Sequence, residues 1–221
     1  MTVQNTGAKP RGRPRGFDPD GALDRALAAF WEAGFAGTSL DALGAATGLN
    51  RPSLYLAFGD KRALYRAAMR RYTEGTLAAL ERLLAPSPLR AALRDTYARA
   101  IAFYLAGDKA ARGCFLIGTA LTEAVTDEEV RAALLSDLHG ADRIFEARFA
   151  AAREAGELPS HSPVAPLAGL AAGVLHTFAV RARAGASAAE MEAIADAAVE
   201  LICGPADQIA GASSTSKLSP P

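Results

Sequence analysis

Residues 39–58 read SLDALGAATGLNRPSLYLAF, and the glycine at the middle of this run constrains the chain more than any other residue in it. Before Gly48, Leu40, Leu43 and Ala46 form the inner face of a short helix; after it, Leu54 and Phe58 do the same. Thr38 is placed to cap the first helix, with Asp41 three residues on as in a capping box, and Asn50 to cap the second. Gly48 takes a turn conformation that a Cβ resists, Gly44 is small where the helices cross, and Leu49 and Leu54 fill the angle between them. With a helix before it, this is the outline of a helix-turn-helix.

The remaining punctuation is also helical. Asp18 can cap a first helix with Pro19 at its first position; Leu23, Leu27, Phe30 and Trp31 share its inner face, and Gly34 ends it. Asp60 caps a fourth helix over 61–84, and Pro86 and Pro88 stop it, marking a candidate domain boundary. Beyond lie a helix over 89–105 and a glycine-interrupted stretch over 112–124. A long helix follows, opened by a Thr126/Glu129 capping box and faced by Val130, Leu134, Leu138, Ala141, Phe145, Phe149 and Ala152. Helices over 164–183 and from a Ser187/Glu190 capping box to 202 complete the set. Alanine is abundant and β-branched alternation is missing, so the fold class is all-α. The organisation expected is an arm (1–16), a three-helix helix-turn-helix domain (17–66), a larger helical domain (67–203) and a disordered Gly/Ser/Thr/Pro tail (204–221).

Outward on the third helix stand Asn50, Arg51, Pro52, Ser53 and Tyr55. Arg51 lies in the first turn, where its two-donor fork matches guanine O6 and N7, and the Pro52 ring can pack on a thymine methyl. Thr38, Tyr55 and Lys61 are better placed for phosphates, and Ser39 joins this DNA-facing set. The competing readings are Tyr55 as half core, Ser53 as a partner for the helix N-terminus only, and Lys61 as a solvated charge. Ahead of the module runs KPRGRPRGF, residues 9–17, with no acid before Asp18. The chain's 24 Lys and Arg balance 24 Asp and Glu, so a polyanion must be met by local patches. Arg13, between Gly12 and Pro14, suits a narrow A·T-rich minor groove, with Arg11 and Arg15 on flanking phosphates. The alternative is a tail that adds only non-specific charge.

Other chemistries find little support. Cys114 and Cys203 fit no disulfide framework, redox pair or zinc spacing, and His139, His161 and His176 fall in separate segments. No catalytic residue, metal site or cofactor is expected. No signal peptide is visible, and the uncharged stretch 162–180, rich in Ala and Gly with Pro163, Pro166 and His176, reads as a buried helix rather than a membrane span. A cytoplasmic protein is expected.

The residues of the module also carry a resemblance. Phe30, Gly34-Phe35, Thr38-Ser39-Leu40, Thr47-Gly48-Leu49, Ser53-Leu54-Tyr55, Phe58-Gly59, Asp60-Lys61 and Leu64-Tyr65 follow the pattern of one family over residues 17–66. By these the chain resembles the TetR family of one-component bacterial regulators. The resemblance implies an all-α homodimer with an N-terminal DNA-binding domain and a larger ligand-binding and dimerisation domain. It implies double-stranded operator DNA, palindromic in sequence, and a small-molecule effector as partners. Leu56 and Ala57 depart from it, since many members carry His or another aromatic there. A repressor is the leading expectation; the alternatives are an activator of the same architecture and an architectural A·T-rich DNA binder acting through the Gly-Arg-Pro arm.

For the effector cavity that the resemblance implies, the candidates are Tyr72, Thr76, Phe103, Tyr104 and Cys114, together with Phe115, Thr119, Phe145, Phe149 and His176. Few charges fall on the expected inner faces, so the effector is expected to be apolar, neutral or weakly polar. For the dimer interface, Gly169 and Gly173 stand four apart beside Ala172, and Met191, Ile194, Ala198 and Leu201 share a face of the last helix. Two such helices per subunit would form a four-helix interface and set the recognition helices about 34–36 Å apart.

Overall fold

The computed structural model describes residues 17–85, 88–107 and 110–205. Among these, every regular element is a helix: α1 (Pro19–Gly37), α2 (Leu40–Thr47), α3 (Arg51–Phe58), α4 (Lys61–Leu84), α5 (Leu89–Leu105), α6 (Leu121–Glu123), α7 (Glu128–Glu154), α8 (Val164–Arg183) and α9 (Ala188–Cys203). The arm with Arg11, Arg13 and Arg15, and the tail from residue 206, lie outside the described residues.

The helix ends follow from their caps. Asp18 accepts from the Asp20 amide, Asn50 from Ser53, Asp60 from Ala63, and Ser187 and Glu190 form a reciprocal capping box. Two expected caps are displaced. Ser39, not Thr38, caps α2 by accepting from the Ala42 amide at 3.0 Å. Asp127, not Thr126, caps α7, because its carboxylate accepts from both the Glu129 and Val130 amides, at 3.0 and 3.1 Å. Gly34 does interrupt α1, at φ +72° and ψ 175°, but the chain turns on to Gly37 before leaving the helix. The glycine-interrupted stretch resolves into a π-turn, Leu116–Ala120, that runs into the single turn of α6.

Packing places α1 against α2 and α4, so the helix-turn-helix sits on the first half of α4. The second half of α4 joins α5, α7, α8 and α9 in the larger helical domain. Among the described residues α8 is the one helix long and apolar enough to cross a membrane. In the fold it packs against α5, α7 and α9, with Ala168, Ala171, Phe178 and Ala182 buried.

Two glycines make opposite predictions. Gly48 occupies the left-handed region (φ +73°), so Gly48→Ala should lower stability by about 1–2 kcal/mol. Gly75 lies inside α4 with open space where a Cβ would stand, so Gly75→Ala should raise it by about 0.5–1 kcal/mol. Urea unfolding of both variants checks the pair of signs.

Candidate nucleic-acid interface and ligand cavity

The turn between α2 and α3 is built from backbone contacts. The Gly48 amide donates to the Gly44 carbonyl, and a Cβ on Gly44 would stand 3.0 Å from the Leu49 carbonyl oxygen. Thr47 is buried and donates to the Leu43 carbonyl at 2.7 Å, while Arg25 of α1 holds the Thr47 carbonyl at 3.2 Å. Leu43 and Leu54 face inward, which leaves the opposite side of α3 to solvent.

On that side Arg51, Pro52 and Tyr55 are exposed and Ser53 is half-buried. Arg51 is not idle: its guanidinium forks onto the exposed Asp41 carboxylate, with Nε and Nη2 contacts at 3.1 and 2.8 Å. Asn50 and Ser39 spend a side-chain oxygen on their caps but remain exposed at the same edge. Lys61 is half-buried, its ammonium 4.3 Å from the centre of the Phe35 ring. Thr38 corrects the expectation. Only 1% exposed, it donates to the Gly34 carbonyl at 2.6 Å, so its hydroxyl locks the end of α1 and cannot reach a phosphate. Leu56, which the sequence marks as a departure from the family pattern, is 91% exposed on α3.

A cavity of about 480 Å³ opens between α4, α5, α7, α8 and the segment leading into the π-turn. Of the candidates, Tyr72, Thr76, Phe103, Tyr104, Cys114 and His176 line it. Phe115, Thr119, Phe145 and Phe149 do not: all four are buried, Phe145 packs on Phe149, and the Thr119 hydroxyl bonds Tyr65 at 2.8 Å and the Phe115 carbonyl at 2.9 Å. The wall is largely apolar, with a few polar groups. Tyr72 donates to Cys114 Sγ at 3.2 Å, and burial raises the pKa of both. Burial lowers that of His176. Four polar or charged lining residues were missed: Thr73, Thr96, Arg99 and Asp137. Their signal was periodicity, since Asp137 falls three residues after Leu134 and four before Ala141, within the apolar stripe of α7.

The cavity wall packs directly against the helix-turn-helix domain. Trp31 of α1 meets Tyr72 edge-on at 4.9 Å and Phe103 at 5.7 Å, and its indole N–H donates to the Arg112 carbonyl at 3.0 Å. At the start of α4, Arg62 pairs with Asp127 and Arg66 with Glu129, which ties the helix-turn-helix side to the N-terminus of α7.

The expected dimer residues divide. Met191, Ala172 and Ala198 are buried in the chain's own core, where each packs under its own helix, and so cannot form an outer face. Gly169 and Leu201 are exposed, Gly173 and Ile194 half-buried. Leu170 and Val180 extend the exposed apolar side of α8.

Comparison with known proteins bears on the family and the fold. Residues 22–68 match the model of bacterial regulatory proteins, tetR family. The chain is 35% identical over 196 residues to the HTH-type transcriptional repressor ComR of Escherichia coli (strain K12), across 87% of this chain and 92% of that one. Among solved structures, a cysteine mutant of the TetR-family regulator CifR, complexed with 26 bp double-strand operator DNA, superposes with a TM-score of 0.77 at 32% identity, covering 85% of this chain and 98% of that one. The fold alone is shared with E. coli NemR in its reduced form, at a TM-score of 0.72 and 19% identity, covering 83% and 96%.

The ion pair at Asp127 carries a pH dependence. The Val130 amide, then Arg62, hold its carboxyl below the usual carboxylate pKa. The stability this contributes is complete above that usual value, about 3.9, and is lost as pH falls through the lower folded one. Urea unfolding across the acid range should therefore show the native protein losing stability more steeply than Asp127→Asn; parallel curves would contradict the assignment.

Proposed function

The chain belongs to the TetR family of DNA-binding transcriptional regulators, and on that premise we propose that it is a cytoplasmic, homodimeric repressor, released from a palindromic operator when a small molecule enters the cavity. The observation that carries this reading is the packing of Trp31 on two residues of the cavity wall, Tyr72 and Phe103. Whatever fills the cavity presses on the helix that supports the recognition unit. The name of the E. coli relative supports the repressor sense.

In this reading α3 enters the major groove. Arg51 leaves Asp41 for a guanine, Pro52 and Leu56 meet thymine methyls, and Asn50, Ser53, Ser39, Tyr55 and Lys61 line the phosphates. The arm, through Arg13 with Arg11 and Arg15, follows the neighbouring minor groove. The exposed side of α8 and α9, with Gly169, Leu170, Val180 and Leu201, supplies the dimer face, because it is apolar and unpartnered among the described residues.

DNase footprinting of the purified protein on its own upstream DNA should give a two-fold symmetric protected region; no symmetric protection at any concentration would refute the reading. On that site Arg51→Ala should weaken binding by about 1–3 kcal/mol and relax discrimination at one base pair per half-site. Equal losses on cognate and random DNA would move Arg51 to the backbone. Removal of residues 1–16 should flatten the dependence of log affinity on log salt, since each phosphate neutralised adds to that slope; an unchanged slope takes the arm off the DNA.

A further inference from the structure

Among the described residues Asp137 is the one carboxylate lining the cavity. Its Oδ2 accepts from the Thr73 hydroxyl at 2.8 Å, and among the described residues no Lys, Arg or His forms an ion pair with it. The other ionisable groups of the wall do not compensate it. Arg99 points its Nε to Asp95 at 3.0 Å, on the exposed side of α5, and burial holds His176 toward its neutral form. A second polar atom is also uncommitted: the hydroxyl of Thr96, a residue only 2% exposed, has no hydrogen-bond partner. Between these points the wall is aliphatic and aromatic, with Leu80, Leu83, Phe103, Tyr104 and Leu116.

A half-buried carboxylate without a cation, facing an apolar cavity with aromatic rings beside it, is costly when empty. A bound cation removes that cost, and the rings attract positive charge as well. We propose that the ligand of this cavity is a hydrophobic amine, its ammonium on Asp137 and its apolar body against α5 and the π-turn. This rests on the reading of the cavity as the effector site, and replaces the neutral effector expected from the sequence with a cationic one. The Thr96 hydroxyl offers a polar contact at a separate point of the wall, for a hydrogen-bonding group elsewhere on the same ligand.

Three probes of one shape separate the possibilities: phenylbutylamine, phenylbutanol and phenylbutyrate, titrated into the full-length protein. Trp31, the sole tryptophan of the chain, packs on the wall and reports occupancy by fluorescence, with calorimetry for affinity. The amine should bind about tenfold or more tighter than the alcohol and the carboxylate. Asp137→Asn keeps an acceptor for Thr73 and should remove that preference by weakening the amine alone. Equal or tighter binding of the alcohol or carboxylate overturns the cation assignment and leaves the cavity standing. Binding of none of the three, with Trp31 fluorescence unmoved, overturns both.

Discussion

The structure depends on where Trp31 sits. It belongs to α1, which packs along α2 and α4, and its ring is set among Tyr72, Phe103 and Phe115 of the larger domain. The indole N–H is committed to the Arg112 carbonyl and the Arg112 guanidinium lies 4.9 Å from the ring centre, so the ring is fixed on several sides. Aromatic pairs of this kind add about 0.5–1.5 kcal/mol each beyond their burial. Close-packed interiors do not deform continuously; they shift between discrete arrangements. A ligand that separated α5 from α4 would therefore move α1 as a body rather than bend it.

A second connection runs along the same boundary in polar form. Arg62 and Arg66, one turn apart on α4, meet Asp127 and Glu129 at the start of α7. Asp127 serves twice, because it also caps α7 through two amides. Pulling α7 from α4 thus removes the ion pair and disturbs the carboxylate that holds the first turn of α7. The aromatic contact at Trp31 reaches α4 and α5 of the larger domain, and the ion pair at Asp127 reaches its α7. Coupling through both needs the start of α7 and the wall of the cavity to move together, and Asp137 and Leu138 of α7 are part of that wall.

Much of this was legible in the sequence, and the reasons for the exceptions are physical. Helix positions were readable because the caps at Asp18, Asn50, Asp60 and Ser187 act locally, through bonds to amides two or three residues away. Thr38 was misread because a hydroxyl beside a helix start has two choices, the helix ahead or the carbonyls behind, and only the turn made at Gly34 decides between them. Among the cavity candidates, aromatic residues at helical spacing look alike whether they line a void or fill it. Phe103 lines the wall while Phe115 and Phe145 are packed solid, and the difference lies in which helix crosses them. Asp137 was in plain view on an apolar stripe, but its meaning depends on the cations that do not reach it. On α8 and α9, Met191, Ala172 and Ala198 were expected to face outward and are buried in the chain's own core, because apolar and small residues serve equally well under a helix and between subunits.

In the proposed reading, the pairing of Arg51 with Asp41 bears on how the protein discriminates. Both side chains are exposed, so the pair contributes no more than about 1 kcal/mol. A bidentate contact with guanine provides about 1–3 kcal/mol. The exchange is therefore favourable where a guanine stands in reach and close to neutral where it does not. In this reading, on a wrong base Arg51 keeps its carboxylate and gains nothing. An acid next to the reading side chain thus subtracts up to about 1 kcal/mol from the contact at the cognate site, where Arg51 must leave it. Discrimination at this position is then the contact with the base less the ion pair given up for it.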